Sequence, residues 1–337
     1  MRRLLFGLCL AVSACRDVPP NARAQIEPNA SEPPPTTSAP GRVASPSAAT
    51  PPSAAAPPGA ALGATNTPTG AAPSTPTAAE LAATREALRA DLGDSIHLST
   101  LRNTFVVAAP RAMAKATFVQ SQRFVERVLD AYLNQRFDRL PSRPVKVLLF
   151  PDARSYEAYC KRHYGEPPST PYGFYHPDER QITMNLGPGV GTLTHELVHP
   201  ILDADFPAAP EWLNEGLASL FEYPVVPHKG EIHGATNWRL PRLTRAIRSP
   251  KERSQATLTR LFQLKDSEFR GNSEDLYYSL ARYFCQWLDE RGQLWAFYRL
   301  WRERHATDPD GSISFREVTG KAPGDFDTDF QRWVRKL

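Results

Sequence analysis

Residues 16 to about 79 are Pro, Ala, Ser, Thr and Gly with almost no aromatic residues. A stretch of that kind has too little apolar surface to offset the entropy lost on ordering. It is therefore expected to be a tether, partly polyproline-like, with no fold of its own. Extended, it would reach roughly 200 Å at about 3.1 Å per residue; as a coil it would span about 45 Å. Whatever folds must be built from residues 80–337, which is enough chain for one or two domains with a real core. The formal charge is +4, and +2 without Arg2 and Arg3. Lys and Arg do not cluster on one face, so the charge gives no case for a nucleic-acid partner. The arginines around 242–260 read as a solvated helical face.

The first residues, MRRLLFGLCLAVSAC, carry two arginines, a short apolar run and then small residues. That is the pattern of a secretory signal over 1–14, too short to span a bilayer. Val12-Ser13-Ala14-Cys15 resembles a bacterial lipobox. The resemblance implies that Cys15 becomes the lipidated first residue of an exported lipoprotein of the cell envelope. Arg16 stands where an inner-membrane retention signal would have aspartate, which favours the outer membrane in a host that has one. Four cysteines then reduce to Cys160 and Cys285. An exported protein can pair them, or they can remain buried thiols.

Beyond the tether, AELAATREALRADL reads as a helix and TFVVAA (104–109) as a strand. Residues 112–136 carry Phe118, Phe124, Val128, Leu129, Tyr132 and Leu133 at helical spacing. VKVLLF (145–150) is a continuous apolar run bounded by prolines, which suggests a central strand. Asp152 can cap the next helix, with Tyr156, Tyr159 and Cys160 inward. YGFYHPDERQITMN (172–185) reads as two short strands about His176-Pro-Asp-Glu. Helices then dominate, at roughly 210–223, 273–290, 293–304 and 325–336. The expected class is α+β: a mixed, mostly antiparallel sheet followed by a mainly helical C-terminal half.

The chemistry gathers in GTLTHELVHPILDADFPAAPEWLNEGLASL, residues 191–220. His195 and His199 are four apart, so on a helix they share a face and their rings can converge on one ion. Glu196 can hold a metal-bound water and take its proton. Three fixed letters in five arise by chance in roughly one chain of this length per hundred, so context must decide. Here apolar residues flank the motif at helical spacing, a glycine-rich break precedes it, and a third ligand candidate follows. A catalytic zinc wants three protein ligands and one open position. Glu215 fills the third place best, because Gly216 would let its helix approach the first closely. Glu211 and Glu222 are rivals near the same face. Asp205 is weaker, because the pattern that would use it has a glycine where Leu202 stands.

HELVH followed by WLNEG resembles the gluzincin metallopeptidases, especially the bacterial peptidase-MA-like group. The likeness runs over about residues 100–337 and takes in PVKVLLFPDARSYEAY, GFYHPDERQITMN and FREVTGKAPGDFDTDFQRWV. It implies His195, His199 and Glu215 as ligands of one zinc ion and Glu196 as general base. Two departures stand out: His199 and Glu215 are close in sequence, and Pro200 directly follows the second histidine. Proline removes a helical donor and disfavours helix in the residue before it, so the helix is expected to kink or loosen there.

The expected activity is hydrolysis of a peptide or protein substrate by a zinc-dependent peptidase, more in the manner of an endopeptidase. The alternative is a silent domain of the same fold that binds an envelope protein or cell-wall partner; a metal-dependent hydrolase of non-peptide substrates is a third. Tyr277 and Tyr278 are candidates to stabilise the oxyanion, with His228 and His233 as alternatives. Asn214 is a candidate to orient its neighbours. The strand ITMN (182–185) is expected to pair with an extended peptide, and Tyr172, Phe174 and Tyr175 to line subsites or pack the sheet.

Overall fold

The computed structural model describes residues 75–337. The expected signal, the expected lipidation site Cys15 and nearly all of the expected tether lie outside the described residues. The first described element is a helix, α1 (Ala78–Leu92), closed at its start by a capping box between Thr77 and Glu80. Among the described residues no helix is long and apolar enough to cross a membrane.

The first half is a five-stranded sheet with helices on both faces. Its strands are β1 (Ile96–Leu101), β2 (Phe105–Pro110), β3 (Val145–Phe150), β4 (Gly173–His176) and β5 (Gln181–Asn185), in the order β1-β2-β3-β5-β4. The sheet is mixed, but not mostly antiparallel. β1 with β2 and β4 with β5 are antiparallel, whereas β2 with β3 and β3 with β5 are parallel. The parallel pairs arise because α2 (Lys115–Leu133) and α3 (Ala153–Tyr164) act as crossovers. The apolar run of β3 follows from burial on both faces. Val147 and Leu149 pack with α2 residues such as Val125 and Leu129, while Leu148 and Phe150 pack with Tyr156, Tyr159 and Cys160 of α3. Asp152 caps α3 as expected, its carboxylate accepting the Ser155 N–H at 2.8 Å.

β1 has no counterpart in the sequence reading. It reaches β2 through a tight turn at Arg102 and Asn103, both at positive φ (53° and 50°). That pair suits a hairpin of the right twist without a glycine to announce it. ITMN is an internal strand and not an edge. It forms β5, which lies between β3 and β4 and is paired on both sides, so it has no free edge for a peptide. Among the described residues the free edge on that side belongs to β4.

The helical half begins with α4 (Gly191–Asp205) and α5 (Glu211–Leu220), followed by a two-residue ladder of β6 (Pro224–Val225) with β7 (His233–Gly234). Next come α6 (Leu240–Arg248), α7 (Leu258–Phe262), α8 (Asp266–Phe269), α9 (Glu274–Glu290), α10 (Leu294–Arg304), α11 (Ser312–Thr319) and α12 (Asp327–Val334). α6 keeps Leu243, Ala246 and Ile247 inward and Arg245 and Arg248 exposed, as a solvated face requires, although Arg242 pairs with Asp275 and Glu252. Pro200 does not end α4, which continues to Asp205. Cys160 and Cys285 are both buried, free thiols in separate apolar clusters.

Candidate metal centre

α4 packs beside β4 and carries His195 and His199 on the side that faces α5, with Leu197 and Val198 in the core. Its start is set by Gly191. A Cβ there would lie 2.3 Å from the carbonyl oxygen of Glu222, so only glycine admits the chain that leaves α5. The Thr194 hydroxyl adds a bond to the Phe221 carbonyl at 2.5 Å. These contacts pin the first turn of α4 to the last turn of α5, and they bring Glu222 to His195.

His195, His199 and Glu215 each offer one ligand atom, and these atoms lie within 4.8 Å of one another. His195 and Glu215 are buried, and the His199 side chain is 12% exposed. His195 Nε2 is 3.4 Å from Glu215 Oε2. Donors about 2.1 Å from a tetrahedral ion stand about 3.4 Å apart, so this pair already has the spacing of two ligands. Glu215 Oε2 is buried and has no hydrogen-bond partner. A buried carboxylate oxygen without a donor is costly unless something else satisfies it. The group fits a metal ion.

Both imidazoles are held from behind. The His199 Nδ1–H donates to Asn214 Oδ1 at 2.8 Å, which leaves Nε2 facing Glu196 Oε2 at 3.8 Å. His195 Nδ1 lies 3.3 Å from Glu222 Oε1, within ion-pair reach though outside good hydrogen-bond alignment. Glu222 is itself fixed by Arg239, whose Nε and Nη2 donate at 2.8 and 2.6 Å, and by Asn237 Nδ2 at 3.1 Å. Partners of this kind set the tautomer and aim the other nitrogen inward. Asn214 thus lies behind His199 and Glu222 behind His195, and Glu222 is outside the group of three.

The charges follow from this packing. Burial pushes the Glu196 carboxyl up to about 7, with Glu215 and Glu222 adding to the rise and His195 and the Tyr175 backbone N–H opposing it. A carboxylate poised there can take a proton at neutral pH. Burial disfavours the His195 cation, but Glu215 and Glu222 outweigh it and raise the imidazole to about 10. Burial lowers His199. Burial also disfavours the ionised Glu215, yet His195, His199 and Arg270 hold that carboxyl well below its usual range.

Of the two tyrosines, only Tyr278 reaches this group. Its hydroxyl accepts from Arg270 Nη1 at 2.5 Å, and burial first and Glu215 second push its phenol well above the ordinary value. It therefore keeps its proton. Tyr277 turns away and donates to Gln255 Oε1 at 2.9 Å. His233 is exposed and pairs with Glu231, and His228 is exposed on the same segment. Glu211 is held by Arg270 at 2.7 Å. Asp205 lies at the far end of α4, fully buried between Tyr298 and Arg302. Tyr175 does approach the centre, stacked on His199 with ring centroids 6.2 Å apart, while Phe174 packs with Tyr156 and Tyr164 on the other face.

Gly216 has a different role from the one its position suggests. A Cβ there would meet the Ala281 carbonyl oxygen at 3.0 Å and Cys285 Sγ at 3.1 Å, both in α9. It lets α5 close on α9, and not on α4. Arg239 and Arg270 were not visible as site residues in the sequence; the second lies 55 positions from the carboxylate it binds. No protein-family model matches this chain, and no curated protein matches it.

Proposed function

We propose that this chain is a zinc-dependent peptidase resembling the gluzincins, with His195, His199 and Glu215 holding the ion and Glu196 as general base. The observation that carries the reading is the buried Glu215 Oε2, which has no hydrogen bond and lies 3.4 Å from His195 Nε2, with the other nitrogens of His195 and His199 facing fixed partners. Zinc bound there would supply Lewis acidity and lower the pKa of a bound water to about 7. Glu196 accepts the proton of the attacking water and returns it to the leaving amine. Tyr278 keeps its hydroxyl proton and is the nearby donor for the developing oxyanion. The free edge of β4, beside Glu196 at Tyr175, is the strand against which an extended peptide would lie. The reading includes export, lipidation at Cys15 and tethering of the domain to an envelope membrane through residues 15–79.

Zinc per chain, measured for the wild type, Glu215→Ala and Glu196→Gln, tests it. One zinc is expected in the wild type and in Glu196→Gln, with strong loss in Glu215→Ala. Peptide hydrolysis is expected to fall by about 10²–10⁴ in Glu196→Gln. A folded wild type that takes up no zinc would overturn the reading. Zinc uptake with no loss of hydrolysis in Glu196→Gln would remove the base from the mechanism.

A further inference from the structure

Arg270 reaches Glu215 from outside the two ligand helices. It follows α8 directly, and α8 is stapled to the start of α5, because Asp266 Oδ1 accepts the Glu211 N–H at 2.9 Å. From that position Nη2 donates to Glu215 Oε1 at 2.6 Å and to Glu211 Oε2 at 2.7 Å. Nη1 donates to the Tyr278 hydroxyl at 2.5 Å and to Glu274 Oε1 at 3.3 Å. The two oxygens of Glu215 are thus in different circumstances. Oε1 is bound to a guanidinium; Oε2 is buried, has no hydrogen bond and lies 3.4 Å from His195 Nε2.

We infer that Arg270 is a positioning residue that restricts Glu215 to ligation through one oxygen, Oε2, and holds Tyr278 beside the same carboxylate. The inference rests on the metal reading above. A carboxylate with both oxygens free can occupy two coordination positions and close a site that needs one left open for water. A carboxylate whose second oxygen is engaged by a cation in a charge-assisted bond offers one. The planar guanidinium suits this task, because its donors are fixed in a fork and here divide between a ligand and a phenol. Three carboxylates, Glu211, Glu215 and Glu274, surround it and keep it in place.

The test compares the full chain as wild type, Arg270→Met and Arg270→Lys, each loaded with Co²⁺ alone. Visible d–d absorption weakens as coordination number rises, and zinc affinity is read separately by chelator competition. Methionine keeps most of the apolar length and removes every donor. Arg270→Met is expected to weaken the cobalt band and to lower zinc affinity about tenfold, as loss of an outer-shell partner does. Arg270→Lys keeps a point charge without the fork and is expected to fall between the two. If Arg270→Met fails to fold, the lysine variant carries the test by the same band. A folded variant with the band and affinity of the wild type overturns the inference while leaving the metal site intact. A wild type that binds no Co²⁺ overturns the metal reading and this inference together.

Discussion

Gly216→Ala separates two physical effects whose signs are opposite. Alanine in a helix interior is favoured over glycine by about 0.8–1.0 kcal/mol, so an open site would be stabilised. Here the added methyl would sit 3.0 Å from the Ala281 carbonyl oxygen, 3.1 Å from its carbon and 3.1 Å from Cys285 Sγ. The carbonyl belongs to the interior of α9 and cannot retreat without bending that helix. Overpacking of this kind costs about 1–3 kcal/mol. The net expectation is a loss of about 1 kcal/mol, read as a lower urea midpoint at unchanged slope. Because Glu215 is the neighbouring residue, the shift of α5 is also expected to weaken metal binding. Cys285→Ala in the same chain removes the sulfur contact but not the carbonyl contact, so it should recover only part of the loss. A Gly216→Ala protein more stable than the wild type would refute the reasoning, since it would mean that α5 and α9 are not in contact at this point.

Glu222→Gln is expected to lower zinc affinity at least about tenfold in a chelator competition, because His195 loses the carboxylate that orients its Nδ1. Arg302→Met is expected to destabilise the fold by about 3–5 kcal/mol in urea, because it leaves the fully buried Asp205 without its cation and with Tyr298 alone. Asp152→Ala is expected to cost about 0.5–2 kcal/mol as a lost helix cap. The Ser155 N–H, and then its hydroxyl, hold the Asp152 carboxyl below its unfolded value. That contribution is therefore full above about pH 4 and disappears as pH falls through the lower folded value. Wild-type and variant stability curves should converge in acid, and curves that stay parallel would refute the assignment.

What the sequence made legible was local. The convergence of His195 and His199 could be read because side chains four apart on a helix need nothing but the helix to converge. The capped α3 and the doubly buried β3 could be read from a cap residue and an uninterrupted apolar run. ITMN was misread because an internal strand and an edge strand can have the same composition, and only the neighbours on each side distinguish them. β1 escaped notice because its turn uses Arg102 and Asn103 with no glycine. Arg270 left no local signal at all, as its partner is half a hundred residues earlier.

The choice between Tyr277 and Tyr278 shows why such supports lie beyond a one-dimensional reading. Neighbouring residues on a helix point about 100° apart, so only one of the two can face α5. The Gly216 contacts, Ala281 and Cys285, mark the stripe of α9 that α5 approaches, but they stand three and seven positions after Tyr278 and four and eight after Tyr277, so helical spacing admits either. The hydroxyl partners decide it: Arg270, bound to Glu215, donates to Tyr278, whereas Tyr277 donates to Gln255. Gly216 therefore bears on the candidate site through α9. The helix it admits is the one that carries the phenol, and the closeness of α4 to α5 is secured instead at Gly191 and Thr194.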